Sequence, residues 1–140
     1  MPYFLAPFAG WLASGSLKFL IHYFKFGKDA RQHTGNGGFP STHTATVSST
    51  AFLIGLGEGF LSPVFGLAVT VLFIVILDAT GLRIAVGKQA FIINRLHSDD
   101  SGKKLRERMG HSLTEIIGGL VVGLLVSLIL YYVFQWWGWM

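Results

Sequence analysis

Two histidines stand at the starts of apolar runs, each in company suited to phosphate chemistry. The first closes GNGGFPSTH, residues 35 to 43. Glycines free the backbone to turn N–H groups inward, and a helix N-terminus adds unpaired donors with positive partial charge. Pro40 and Ser41 suit that boundary, with Ser41 or Thr42 as the N-cap. The segment describes an anion seat with His43 beside it to give or take a proton. It describes equally a connecting loop with an ordinary cap and an interfacial histidine. The second histidine opens GHSLTE, residues 110 to 115. His111 and Glu115 are four apart, which puts them on one helix face. A carboxylate behind an imidazole fixes its tautomer and stabilises the charged ring, as a nucleophile or base requires. The alternative is an interfacial histidine with a first-turn glutamate favoured by the helix dipole.

Three further ionisable residues, Lys18, Asp78 and Arg83, fall within or at the edge of apolar stretches. Charge is costly in hydrocarbon and usually faces a polar interior, so each is a functional candidate. The alternatives are snorkelling side chains for Lys18 and Arg83 and a structural Asp78–Arg83 pair. Function is favoured for Lys18 and Arg83, and structure for Asp78. The GxxxG spacing of Gly119 and Gly123 points to helix packing rather than chemistry.

The elements that must position these residues are apolar helices. Hydrophobic residues make up 51% of the 140 and charged residues only 13%. An ordinary soluble chain carries about 25% charge, so this one lacks the charge to cover a surface in water. Four stretches come near the roughly 20 residues that cross a bilayer: about 3–24, 43–61, 63–82 and 112–136. Gly10, Gly15 and Lys18 interrupt the first. The fold expected is all-α, a polytopic membrane bundle of four transmembrane helices forming one domain over 1–140. KQAFIINRL, within about 87–97, has apolar residues at helical spacing and is expected to lie flat as an interfacial helix.

The connections differ in charge. The first, KFGKDARQHTGNGGFPST, and the third, which carries Lys88, Arg95, Lys103, Lys104, Arg106 and Arg108, are both basic. The second is a tight turn around Glu58 and Pro63. With four crossings the two basic connections share a side, and the positive-inside rule makes that side cytoplasmic and puts both termini outside. The tryptophans of QWWGWM read as an interfacial belt opposite. A net charge of +4 spread over a soluble face would suggest nucleic acid. Lying between apolar runs, it suggests a membrane surface and phosphate-bearing lipids, with no nucleic acid. No basic n-region marks a signal peptide, so the first apolar stretch is expected to be permanent. The absence of cysteine excludes disulfides and thiolate metal sites.

FPSTHTA before a small-residue helix, then LDATGLRIAVGKQAFIIN, then GHSLTEIIGGLVVG resemble, in that order, the divergent branch of the type 2 phosphatidic acid phosphatase superfamily, which is related to vanadium-dependent haloperoxidases. The resemblance extends from SLKFLI to the last apolar stretch. It implies a lipid phosphatase that works through phosphohistidine without a metal or cofactor. On that resemblance His111 attacks phosphorus, Glu115 orients it, and His43 protonates the leaving alkoxide and then activates water. Lys18, Arg31 and Arg83, with backbone N–H groups near Ser41 and Thr42, hold the phosphoryl oxygens.

The sequence departs from the superfamily at stated positions. Lys18 is thirteen residues before Arg31, where seven is usual, Lys25 is six before it and is the alternative lysine, and Gln32 replaces a proline. Thr42 stands where glycine is usual. Leu105 occupies the position six before the nucleophile where arginine is usual, so Arg83 is expected to serve, with Arg106 or Arg108 as substitutes. Four crossings replace the common six. The substrate expected is a phosphomonoester or pyrophosphate lipid, a phospholipid or a polyprenyl phosphate, met at the cytoplasmic face of a bacterial-type plasma membrane. The competing readings are a non-catalytic protein that binds or moves an anionic lipid through the same seat, and a structural subunit gripping lipids. A unit with glycine faces is also able to pair with a copy of itself.

Overall fold

The computed structural model describes residues 1–27, 38–96 and 104–139. Every regular element among them is helical: α1 (Leu5–Phe26), α2 (Thr42–Glu58), α3 (Pro63–Leu77), a π-turn (Asp78–Leu82), α4 (Arg83–Leu96) and α5 (Leu113–Trp136). Local sequence explains the starts. Ser41, Ser62 and Ser112 each cap a helix with a side-chain oxygen that accepts a first-turn N–H, and Pro63 follows its cap at a position where the missing N–H costs nothing. At the other end of α1, Gly27 takes φ 60°, a backbone that halts a helix cheaply only at glycine.

Near the middle of the bundle lies α2, and its small side chains are the reason. Thr44, Ala45, Ser48, Ser49 and Ala51 are buried. Against them α1 brings Gly10, where an added Cβ would stand 2.7 Å from the Ala45 carbonyl oxygen. From α5 come Gly119, where it would stand 2.6 Å from the Ser41 carbonyl oxygen, and Gly123, which sits against Ser48. The GxxxG pair is thus a packing face, as its spacing suggests. Buried hydroxyls find carbonyls: Ser49 donates to Ala6 of α1 at 2.9 Å, and Ser127 donates to Gly123 at 3.0 Å. Satisfied in this way, they cost little to bury.

Among the described residues, two helices are long and apolar enough to cross a membrane, Pro63–Leu96 and Leu113–Trp136. The helix of 17 residues, α2, is shorter and rich in serine and threonine because neighbours rather than solvent surround it. The expected interfacial helix at about 87–97 is not a separate element. The helix from Pro63 continues through the π-turn to Leu96 as one rod of 34 residues, about 51 Å long at 1.5 Å per residue. No proline or capping signal separates Leu82 from Gly87, and the π-turn absorbs the local irregularity without ending the helix.

The helices alternate in direction. Ser41, Ser48 and Leu53 of α2 lie beside Gly119, Gly123 and Phe134 of α5, so these two run parallel. Antiparallel to them runs α1, with Ala6 beside Ser49 and Tyr3 bonded to Glu58. One end of the bundle therefore holds the starts of α2 and α5, the π-turn and the Lys18 end of α1. The opposite end holds Tyr3, Glu58 and the tryptophans.

Candidate active site

The starts of α2 and α5 are joined through Glu115. It is the third residue of α5 and half of a capping box with Ser112, whose backbone N–H it accepts at 3.1 Å. The same carboxylate oxygen lies 2.8 Å from Nδ1 of His111. A carboxylate can only accept, so Nδ1 carries the proton, and in the neutral ring the lone pair is then on Nε2. The Gly38 N–H also donates to this carboxylate, and the Glu115 backbone carbonyl accepts the Ser41 N–H at 2.8 Å. One residue thus fixes a histidine, caps its own helix and ties down the start of another.

His111 precedes the cap and is not on the helix. Its place depends on the turn before it. Gly110 has φ 89°, and a Cβ there would meet the Ala79 carbonyl oxygen at 2.8 Å and the Ile84 nitrogen at 3.2 Å. Glycine therefore lets the chain press against the π-turn, and the His111 N–H donates to the same Ala79 carbonyl at 3.0 Å. The π-turn also sets Arg83. Residues five apart lie about 140° around a regular α-helix and do not meet. Here the Arg83 N–H reaches back five residues to the Asp78 carbonyl, and its guanidinium bonds the Asp78 carboxylate at 2.5 Å.

These elements enclose a cavity of about 230 Å³ lined by Lys18, Thr42, His43, Arg83, Arg106, Met109, Gly110 and His111. Three cations and two imidazoles thus face one space. The ring centres of His43 and His111 are 6.2 Å apart. His111 is buried at 8% exposure, as is Lys18. Thr42 and His43 belong to the first turn of α2, where N–H groups lack helical acceptors and the dipole favours an anion. Together they give the cavity a cationic lining whose charge and size would suit a compact anion. Among the described residues, no three His, Cys, Asp or Glu side chains gather into a metal-holding set.

Of the residues singled out from sequence, Lys18, Thr42, His43, Arg83 and His111 come together in the cavity, with Glu115 behind His111. Ser41 does not line it; its buried hydroxyl caps α2, accepting from Thr44. Arg31 lies outside the described residues. The alternatives for the missing arginine separate: Arg106 lines the cavity, while Arg108 faces a second recess between Lys88, Phe91 and Glu107. Leu105 is engaged elsewhere, exchanging backbone bonds of 2.9 Å with the Asn94 side chain of α4. Asn94, Met109 and Gly110 escaped the sequence reading. Of these only Gly110, glycine directly before a candidate nucleophile, carried a local signal.

Comparison with known proteins gives a family. Residues 1–126 match the Divergent PAP2 family, a range that holds every residue lining the cavity. The chain is 33% identical to the uncharacterized membrane protein YuiD of Bacillus subtilis (strain 168), with 73% of this chain and 75% of that protein covered. No solved structure matches significantly.

Proposed function

The chain belongs to the Divergent PAP2 family, and we propose that it is a membrane phosphatase that hydrolyses a phosphomonoester or pyrophosphate lipid through phosphohistidine. The observation that carries this reading is the single cavity shared by His111, His43, Lys18, Arg83 and Arg106, with the His111 tautomer set by Glu115. Nε2 of His111 attacks phosphorus and forms the N–P bond as the ester P–O bond breaks. His43 gives its proton to the departing alkoxide. Glu115, bonded to Nδ1–H, stabilises the cationic phosphohistidine. His43 then takes a proton from water, whose oxygen attacks phosphorus and releases phosphate and free His111. Charge spreads over the phosphoryl oxygens in both transition states, where Lys18, Arg83, Arg106 and the first N–H groups of α2 offset it.

Four crossings fit the alternating helix directions and the apolar outer faces. At 1.5 Å per residue the 22 residues of α1 reach about 33 Å and the 17 of α2 about 26 Å, near the thickness of the hydrocarbon. The cavity then opens at the basic side, which is cytoplasmic by the positive-inside rule, with both termini outside. Single cysteines at Glu58 and Lys104 test this: in intact cells an impermeant thiol reagent labels the first and misses the second. The reverse pattern would turn the site outward.

The enzyme reading is tested by phosphate release from phosphatidic acid, phosphatidylglycerophosphate and polyprenyl phosphates or pyrophosphates in detergent. One of them should be hydrolysed, undiminished by chelators because side-chain cations balance the charge, and inhibited by vanadate, which mimics the bipyramidal phosphorus. Binding without release from any of them would favour a non-catalytic lipid carrier, and loss in EDTA restored by a divalent ion would overturn the metal-free mechanism.

A further inference from the structure

A trough of about 550 Å³ runs along α1, walled by Trp11, Leu12, Gly15 and Phe19 and ending at Lys18 and Thr42. That volume is in the range of ligand sites. Its shape follows from spacing. Trp11, Gly15 and Phe19 are four residues apart on one helix face, so bulky rings stand above and below a notch where glycine has no side chain. A Cβ at Gly15 would meet no atom within 4 Å, so the notch is open space rather than a close helix contact. Trp11 is 60% exposed and Phe19 42%, so the trough opens on the bundle's outer, apolar surface.

Lys18 and Thr42 also line the cationic cavity, so the trough abuts it along these two residues. Lys18 is more than nine-tenths buried, yet makes no hydrogen bond or ion pair with any described residue. The Glu115 carboxylate attracts it without a direct bond; a buried ammonium with no bonded partner among the described residues is costly, and an anion at the junction would offset that cost. The other apolar recess, walled by Val47, Leu67 and Val71 among others, shares no residue with the cavity.

We propose that this trough holds the hydrocarbon tail of a lipid whose phosphate lies in the cavity, and that Gly15 determines the room for it. The proposal rests on the phosphatase reading only for the nature of the headgroup. The lipid enters sideways along α1, the tail seated between Trp11 and Phe19 while Lys18 meets the phosphate at the junction. Small water-soluble phosphomonoesters bypass the trough, so it selects for long-chain substrates.

A non-hydrolysable phosphonate analogue of phosphatidic acid, with a diazirine in its tail, tests this in phosphatidylcholine vesicles. A phosphatidylcholine carrying the same tail serves as control. The analogue should label residues 11–20 roughly five-fold or more above the control, and Gly15→Leu, whose Cβ would meet no atom within 4 Å, should return labelling to the control level. Equal labelling by both lipids, preference for the Val47–Leu67 recess, or indifference to Gly15→Leu in a protein that still folds would each overturn it. The readout needs no turnover. Headgroup-dependent labelling without phosphate release would leave the trough standing and remove the enzyme, whereas release without such labelling would do the opposite.

Discussion

At the end of the bundle where α1 begins, polar groups pair with one another. Tyr3 donates to Glu58 across the mouth of α2, and burial, with that bond and the carboxylate charge, pushes its hydroxyl pKa up to about 12. Beneath it Ala6, Leu53 and Phe134 form an apolar core. At the other end the same helices leave their polar groups converging on a void. Arg83 is paired with Asp78 yet lines the cavity, His111 offers one nitrogen to Glu115 and the other to the space, and Lys18 has no bonded partner among the described residues. A protein stabilising itself would fill or pair such groups. Leaving three cations around one volume is destabilising unless something anionic occupies it. On the proposed function the basic end is the working end and the other is the clasp.

If that division is right, the largest effects come from the working end. His111→Ala should remove turnover by several orders of magnitude with little change in thermal stability, because its backbone bond to Ala79 survives. His43→Ala should cost about 10²–10⁴-fold, and less for esters with acidic leaving groups that need no proton. Phosphate-release assays on both decide it, and full activity in either variant would erase its role. Asp78→Asn is intermediate. With Arg83 no longer tethered, kcat/KM should fall about ten-fold, chiefly through KM, equivalent to about 1.4 kcal/mol, and Asp78→Glu should recover part of it. A lowered melting temperature with unchanged kinetics would instead return the pair to a structural role.

The smallest effect belongs to the clasp. Tyr3→Phe should leave kinetics within error and lower stability by about 1 kcal/mol, as for one lost hydrogen bond. Because the hydroxyl pKa is raised, this contribution is full below the ordinary tyrosine value of 10.0 and fades only as pH rises toward about 12. The difference between Tyr3→Phe and the parent in thermal melts should therefore be flat from about pH 6 to 9. A change in substrate affinity would break the division between the two ends.

Much of this was legible in the sequence because its signals are local. Serine caps, apolar run lengths, glycine at GxxxG spacing and two histidines opening helices all act within a few residues of themselves. What escaped depends on distant backbone. The Asp78–Arg83 pair was legible as a structural alternative, but not its geometry, since that spacing does not meet on an α-helix and only the π-turn aligns the two. Arg106 and Arg108 are alike in sequence, and the Asn94 clip on Leu105 belongs to the fold that separates them. Glu115 was readable as the partner of His111, but not as the link to Gly38 and Ser41. The rod from Pro63 to Leu96 was read as two elements because charge begins at Arg83, and charge marks a membrane border without ending a helix.

The most direct measurement of the central claim is a rapid acid-free quench of the purified protein with a lipid substrate labelled at phosphorus, followed by peptide mapping. The account predicts an acid-labile, alkali-stable phosphoryl group on the peptide containing His111, absent from His111→Ala and longer-lived in His43→Ala, where water is no longer activated. Steady release of phosphate with no label on His111, or the same label persisting in His111→Ala, would contradict it.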